Sequence, residues 1–280
     1  MHETNTARIP ALELAGISAS SGGFRILTDV SLAFPENEWS VVLGAAGSGK
    51  STLLKTAAGL MVPDSGTVLV VGRDMAKFNP RDEIAFRSRS GFVFQDAALW
   101  ANQSILNNVA MPLRVHRNWM SESQIAETCR DILVRLGYTE SMGVRPAELS
   151  SGEQKLVSIA RALVHQPSLV FLDDPTSNLD EDAVDRLFAE LDRLRASSVT
   201  VVTVTNNTEL AYRFADYLGV LKDGSLLDFG LYDATIARAE AALGSSIARL
   251  KARGGRMRSR DCAEPDSFEA GSEMSQRGDV

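Results

Sequence analysis

Gly44-Ala45-Ala46-Gly47-Ser48-Gly49-Lys50-Ser51 dictates more of this chain's architecture than any other stretch, because it is a complete G-x-x-x-x-G-K-S run. Its glycines let the backbone fold so that successive N–H groups converge on phosphate oxygens. Ser40-Val41-Val42-Leu43 reads as a buried strand before it, and Thr52-Leu53-Leu54-Lys55 begins a helix after it. The start of that helix adds the positive end of its dipole to the loop. In this setting Lys50 is expected to reach the β- and γ-phosphates of a nucleotide, and the Ser51 hydroxyl to ligate Mg²⁺. A phosphoryl site also needs a carboxylate for the metal. Leu169-Val170-Phe171-Leu172-Asp173 ends an apolar strand in one.

Strand–helix–strand order recurs along the chain. Leu12 to Ser18 and Ile26 to Phe34 are short β-type runs separated by Ser20-Ser21-Gly22-Gly23, and Thr67 to Val71 and Gly91 to Phe94 add two more. Ser121 to Leu136 reads as a helix, with capping-box spacing at Ser121 and Gln124 and Gly137 at its C-terminal cap. Ile125, Cys129, Ile132, Leu133 and Leu136 share one face of that helix, so Cys129 reads as core rather than as a reactive thiol. Leu169 to Leu172 and Val199 to Val204 are unbroken apolar runs typical of parallel strands covered on both faces. The helical stripe Val184, Leu187, Phe188, Leu191 and Leu194 lies between them, which makes a βαβ unit and an α/β core. Leu218 to Leu221, Lys222-Asp223-Gly224 and Ser225 to Phe229 read as a hairpin. From Gly244 the pattern fails, and residues 244–280 are expected to be a disordered tail.

Composition narrows the function. With 280 residues, 44% of them hydrophobic, the chain can bury a sizeable core. A net charge of -7 argues against a dedicated nucleic-acid binder. Cys129 and Cys262 do not form a disulfide framework, so a reducing cytosol is expected. The first ten residues lack a basic region followed by an apolar stretch, so no signal peptide is expected. No apolar run reaches the ~18 residues of a membrane span, so work at a membrane would need a partner.

Over residues 12–230 the chain resembles the ABC transporter ATPases. Phe92-Val93-Phe94-Gln95 is similar to their Q-loop, and Leu149-Ser150-Ser151-Gly152-Glu153-Gln154 to their signature motif. Ile159-Ala160-Arg161-Ala162-Leu163 follows as in the family, and Asp174-Pro175-Thr176-Ser177 with Asn178-Leu179-Asp180 is similar to the end of the Walker-B strand and the D-loop. The resemblance implies an α/β P-loop NTPase fold of ABC type: a mixed RecA-like core, an N-terminal antiparallel β subdomain and a helical signature subdomain. One nucleotide-binding domain is expected at 10–240, with its helical subdomain at about 96–160. ATP and Mg²⁺ are the implied cofactors. Gly44, Ala45, Ala46, Gly47, Ser48, Gly49, Lys50, Ser51 and Thr52 would hold the nucleotide, while Ser51, Gln95 and Asp173 would hold the metal. Asp174, Asn206 and Gln95 occupy the catalytic positions. Ser150, Ser151, Gly152 and Glu153 would approach the γ-phosphate bound by a second copy, through the N-terminus of their helix. The implied partners are a second nucleotide-binding subunit and an integral membrane permease, with no nucleic acid. The chain would then lie in the cytoplasm on the inner face of the plasma membrane.

A closer resemblance, over about twenty residues, is carried by Gln95-Asp96-Ala97-Ala98-Leu99-Trp100 and Asn108-Val109-Ala110-Met111-Pro112-Leu113-Arg114-Val115-His116. These are similar to the Mla-type ATPases, which energise phospholipid traffic with a permease and an Mce-type lipid-binding protein. His116 reads as a surface or packing residue rather than a ligand, and Trp100 and Trp119 as packing or partner-contact residues. Other positions depart from the family. Asp174 replaces the usual glutamate base, which moves the carboxylate by roughly 1.5 Å, a displacement that can slow a reaction about a hundredfold. Asn206 replaces the switch histidine and cannot carry its charge. Ser151 replaces a glycine and Glu153 a glutamine, and Ser21 stands where an adenine-stacking aromatic is usual, with Phe24 nearby. These departures predict slow hydrolysis. The alternatives are a degenerate ATP-binding partner of a competent sister ATPase, or a non-transport ABC ATPase.

Overall fold

The structure is a computed structural model that describes residues 9–238. The expected tail at 244–280, and the last two residues of the expected domain, lie outside this range. In chain order the elements are β1 (Leu12–Ser21), β2 (Phe24–Phe34), β3 (Trp39–Leu43), α1 (Lys50–Ala57), β4 (Ser65–Val70), β5 (Arg73–Asp74), α2 (Pro80–Ser88), β6 (Ser90–Val93) and α3 (Ile105–His116). They continue with α4 (Glu122–Arg135), α5 (Ser151–Leu163), β7 (Leu169–Asp173), α6 (Glu181–Ala196), β8 (Thr200–Thr205), α7 (Thr208–Phe214), β9 (Tyr217–Lys222), β10 (Ser225–Leu231) and α8 (Tyr232–Arg238).

Two sheets result. One is antiparallel, in the order β2-β1-β4-β5; the other runs β10-β9-β3-β8-β7-β6 and is parallel except for the β9–β10 hairpin. This matches the expected α/β arrangement, a mixed core with an N-terminal antiparallel sheet. Period-2 alternation decides what each strand face meets. Val42, Phe171, Val202 and Val204 face the layer that holds α1 (Leu53, Leu54, Ala57) and the antiparallel sheet. Val41, Leu43, Val170, Leu172 and Val201 pack with the layer of α3, α4, α5, α6 and α7. Strands β3, β7 and β8 are buried along their whole length; β7 is apolar up to Asp173, whereas β3 and β8 are interrupted by the buried hydroxyl residues Ser40, Thr200, Thr203 and Thr205. Each buried Leu or Val stabilises the fold by roughly 2 kcal/mol.

Local signals act as their chemistry requires. Ser121 and Gln124 form a reciprocal capping box at the start of α4. Cys129 on its buried face is fully enclosed, and burial pushes its thiol up to about 12, so it is core. Trp100 and Trp119 are exposed, with the Arg117 guanidinium 5.5 Å from the Trp119 ring. His116 lies against His165, ring centroids 5.9 Å apart.

The sheet register places the site. Leu43, at the end of β3, lies beside Thr205, at the end of β8. Asp173, at the end of β7, lies beside Val204, and Val93, at the end of β6, beside Leu172. The phosphate loop, the acidic pair 173–174, the Gln95 loop and Asn206 therefore leave the same edge of the sheet. The carboxyl edge of a parallel sheet is where α/β folds bind ligands.

Candidate nucleotide site

The phosphate loop turns on glycines at two demanding positions. Gly49 has φ +98°, and a Cβ there would stand 2.9 Å from the Ile26 carbonyl oxygen, so the close approach of β2 excludes any side chain. Gly47 has φ +78° but faces open space. The first N–H groups of α1 have no intrahelical partner and point into the same loop. Lys50 folds back over it, its Nζ donating to the carbonyls of Gly44 (2.9 Å) and Ala45 (2.8 Å). Burial holds the pKa of this ammonium below its ordinary value, against the pull of Asp174 and Asp173. An arriving phosphate offers it a stronger, charge-assisted acceptor.

Ser51 Oγ donates to Asp173 Oδ1 at 2.9 Å across 122 residues of sequence. Asp173 is 2% exposed, and its other oxygen, Oδ2, is buried without a hydrogen-bond partner. Burial raises the pKa of this carboxyl, opposed by the Ser51 hydroxyl. A buried carboxylate oxygen with an unmet lone pair, beside a hydroxyl, is the donor set a hard divalent cation takes. The residues present therefore fit Mg²⁺, held by Ser51 and Asp173.

Asp174 adopts φ +44°, a left-handed conformation that aspartate tolerates better than most residues. Thr205 Oγ1 donates to its Oδ1 at 2.8 Å. Asn207 caps α7 through its side chain and donates its own N–H to Thr205 Oγ1. Asn206 is exposed and makes no side-chain hydrogen bond among the described residues. Gln95 is exposed as well, while its backbone carbonyl is engaged by Lys155 at 3.2 Å.

The signature residues are not tied to this chain's own loop. Among the described residues no hydrogen bond joins Ser150, Ser151, Gly152 or Glu153 to residues 44–52. Ser151 opens α5 and is absent from the positive-φ positions, so the expected loss of glycine's freedom brings no backbone strain. Glu153 forms a capping box: Ser150 donates to its Oε2 from N (2.8 Å) and from Oγ (2.6 Å). Its charge thus stabilises its own helix start, and that hydroxyl hydrogen bond keeps its pKa low.

Residues 27–177 match the family model described as ABC transporter. The chain belongs to the ABC transporter ATP-binding family. As an ABC ATPase it is similar, at 36% identity over 226 residues, to the lipoprotein-releasing system ATP-binding protein LolD of Hyphomonas neptunium, covering 79% of this chain and 98% of that one. It is 34% identical over 221 residues to the probable ribonucleotide transport ATP-binding protein Mkl of Mycobacterium leprae, and 37% over 209 residues to a macrolide export ATP-binding/permease protein, MacB, of Paracoccus denitrificans. The matches cover 79% and 73% of this chain, which spans 63% of the Mkl protein and 31% of MacB. The fold is also that of a dimeric ATP-binding cassette in a post-hydrolysis state bound to ADP and Pi, at 29% identity and a TM-score of 0.72 over 79% of this chain and 98% of that one.

The contacts made by three polar side chains of this ABC cassette are invisible to motif reading. Thr205 meets Asp174 only through strand register. Lys155 and Arg161 of α5 hold the carbonyls of the Gln95 loop. Lys155 does leave one trace in the sequence: it is a lysine set among the apolar, buried positions of α5.

Proposed function

We propose that this chain binds Mg-ATP at residues 44–52 and hydrolyses it slowly, as one of two nucleotide-binding subunits coupled to a membrane permease that moves lipid. The observation that carries this reading is the Ser51–Asp173 pair with its unpartnered Asp173 Oδ2, beside a Lys50 that holds only neutral carbonyls. Lys50 exchanges those carbonyls for the β- and γ-phosphates, and the loop N–H groups take the remaining oxygens. Ser51 and Asp173, with Gln95, would hold Mg²⁺, which would supply charge neutralisation for the phosphates. Asp174 orients the attacking water as a short-reach base, and Asn206 hydrogen-bonds the γ-phosphate without adding charge. Ser150 and Gly152 meet the γ-phosphate bound by a second subunit, which closes the dimer around ATP.

Coupling to a permease fits the described residues, none of whose helices is long and apolar enough to cross a membrane. Lipid as cargo rests on the similarity of residues 95–116 to the Mla-type ATPases, with an Mce-type protein as lipid carrier and the inner face of the plasma membrane as location. The relatives' names point to three cargoes: macrolide, lipoprotein and ribonucleotide. The cassette alone therefore does not select among them.

Purification of the tagged chain with its native membrane partners tests the reading. A permease and an Mce-type protein should co-elute, and the complex should release phosphate from Mg-ATP. Lys50→Ala should weaken Mg-ATP binding by about tenfold or more, the loss expected of one charge-assisted contact. Unchanged affinity would remove the loop from the argument, and a permease without a lipid carrier would overturn the cargo.

A further inference from the structure

The Lys155 ammonium is buried inside α5, the helix that opens with the signature residues; the side chain is 1% exposed. Its Nζ donates to three carbonyls: Phe94 at 2.9 Å, Gln95 at 3.2 Å and Asp173 at 3.3 Å. The donors of one ammonium are thus matched by three backbone acceptors drawn from two segments that border the metal position. No carboxylate shares a hydrogen bond with Lys155 among the described residues; Asp174, Asp173 and Asp96 act on it through space. An ammonium is costly to bury without an anion hydrogen-bonded to it, so an apolar side chain would meet a simple packing need at lower cost.

We propose that Lys155 is a positioning residue that ties the Gln95 loop and the Asp173 end of β7 to the signature helix. Through this tie, nucleotide bound at the chain's own phosphate loop sets the pose in which Ser150 and Gly152 meet the partner subunit's nucleotide.

The rest of α5 makes the linkage rigid. Arg161 donates to the carbonyls of Ala98 (2.8 Å) and Ala97 (3.0 Å), both held at positive φ. Carbonyls 94, 95, 97 and 98 are therefore all engaged by side chains of one helix. Of these two side chains, only Lys155 also reaches β7. It lies one turn from Ser151 on the same helix face, about 6 Å along the axis, so a shift of its anchor moves the signature with little slack. At the helix mouth, a Cβ on Gly152 would stand 3.0 Å from the Asn178 carbonyl, so a small rotation there alters a tight contact.

The inference rests on the two-subunit sandwich proposed above, and its test separates the two. In an Asp174→Asn background, Mg-ATP affinity of the full-length chain is measured by calorimetry and ATP-driven dimer formation by analytical ultracentrifugation. Lys155→Met should leave the affinity within about threefold and weaken ATP-driven dimerisation at least about tenfold. Lys155→Gln, which keeps amide donors, should recover part of the dimerisation. If Lys155→Met does not fold, the same comparison is read on Lys155→Gln against the Lys155 parent. Unchanged dimerisation would make Lys155 structural only, and equal losses of affinity and dimerisation would confine it to the nucleotide site; either overturns the proposal. A Lys155 parent that shows no ATP-driven dimer would overturn the sandwich itself.

Discussion

Asp174 has part of its carboxylate committed before any nucleotide arrives, since Oδ1 accepts from Thr205 at 2.8 Å. In the proposed mechanism, a side chain one methylene shorter than glutamate and anchored at the end of β8 would have less free reach toward a water in front of the γ-phosphate. Asn206 beside it is exposed and unanchored, and offers a dipole where histidine would offer charge. Asp174→Glu with Asn206→His should therefore raise steady-state phosphate release by about tenfold, more than the product of the single changes, because residues acting as a unit are not additive. Asp174→Asn should lower release further while Mg-ATP still binds, since Asp173 and Ser51 are untouched. Wild-type turnover near ~1 s⁻¹, slowed by the double substitution, would mark Asp174 and Asn206 as a working variant site.

At the scale of elements, α5 carries the signature at one end and meets a buried histidine just past the other. His165 is 4% exposed, and its Nε2 lies 3.1 Å from the Ser90 carbonyl oxygen. Burial brings its pKa down to about 4, with His116 and Arg117 opposing protonation and the Ser90 carbonyl favouring it. The folded state thus binds fewer protons than the unfolded chain, whose imidazole titrates near 6.5. The stability this gives is complete above pH 6.5 and is lost as pH falls from there toward 4. Between pH 7 and 4.5 the wild type should lose about 2 kcal/mol more than His165→Leu in urea unfolding; parallel losses would show that His165 is not the titrating group.

The elements also differ in how far sequence reveals them. Strands β3, β7 and β8 are legible because burial on both faces leaves runs of apolar residues broken only by small hydroxyl side chains, and α4 because its capping box and stripe agree. By contrast α2 buries only Phe86. In α3, Pro112 lies inside the helix and Asn108 is fully enclosed, bonded to Trp100, Gln103 and Ser104 where periodicity would ask for an apolar residue. In the site, the contiguous loop at 44–51 is readable. The Thr205–Asp174 and Lys155–Asp173 contacts are not, because strand order and register create them.

For the whole molecule, the decisive geometry is a division of labour. The phosphate loop and acidic pair gather at one sheet edge, while Ser150–Glu153 cap their own helix and, among the described residues, make no hydrogen bond to that loop. The proposed site, with its γ-phosphate contacts split this way, would be complete only between two chains, as the dimeric cassette that shares this fold suggests. Cysteines at exposed Ala46 and Ser151, with Cys262 changed to serine and the buried Cys129 retained, measure this directly in the assembled complex. Disulfide cross-linking between subunits should rise several-fold with Mg-ATP and stay at background in Lys50→Ala. Equal cross-linking with and without nucleotide, or an unaltered response in Lys50→Ala, would contradict the account.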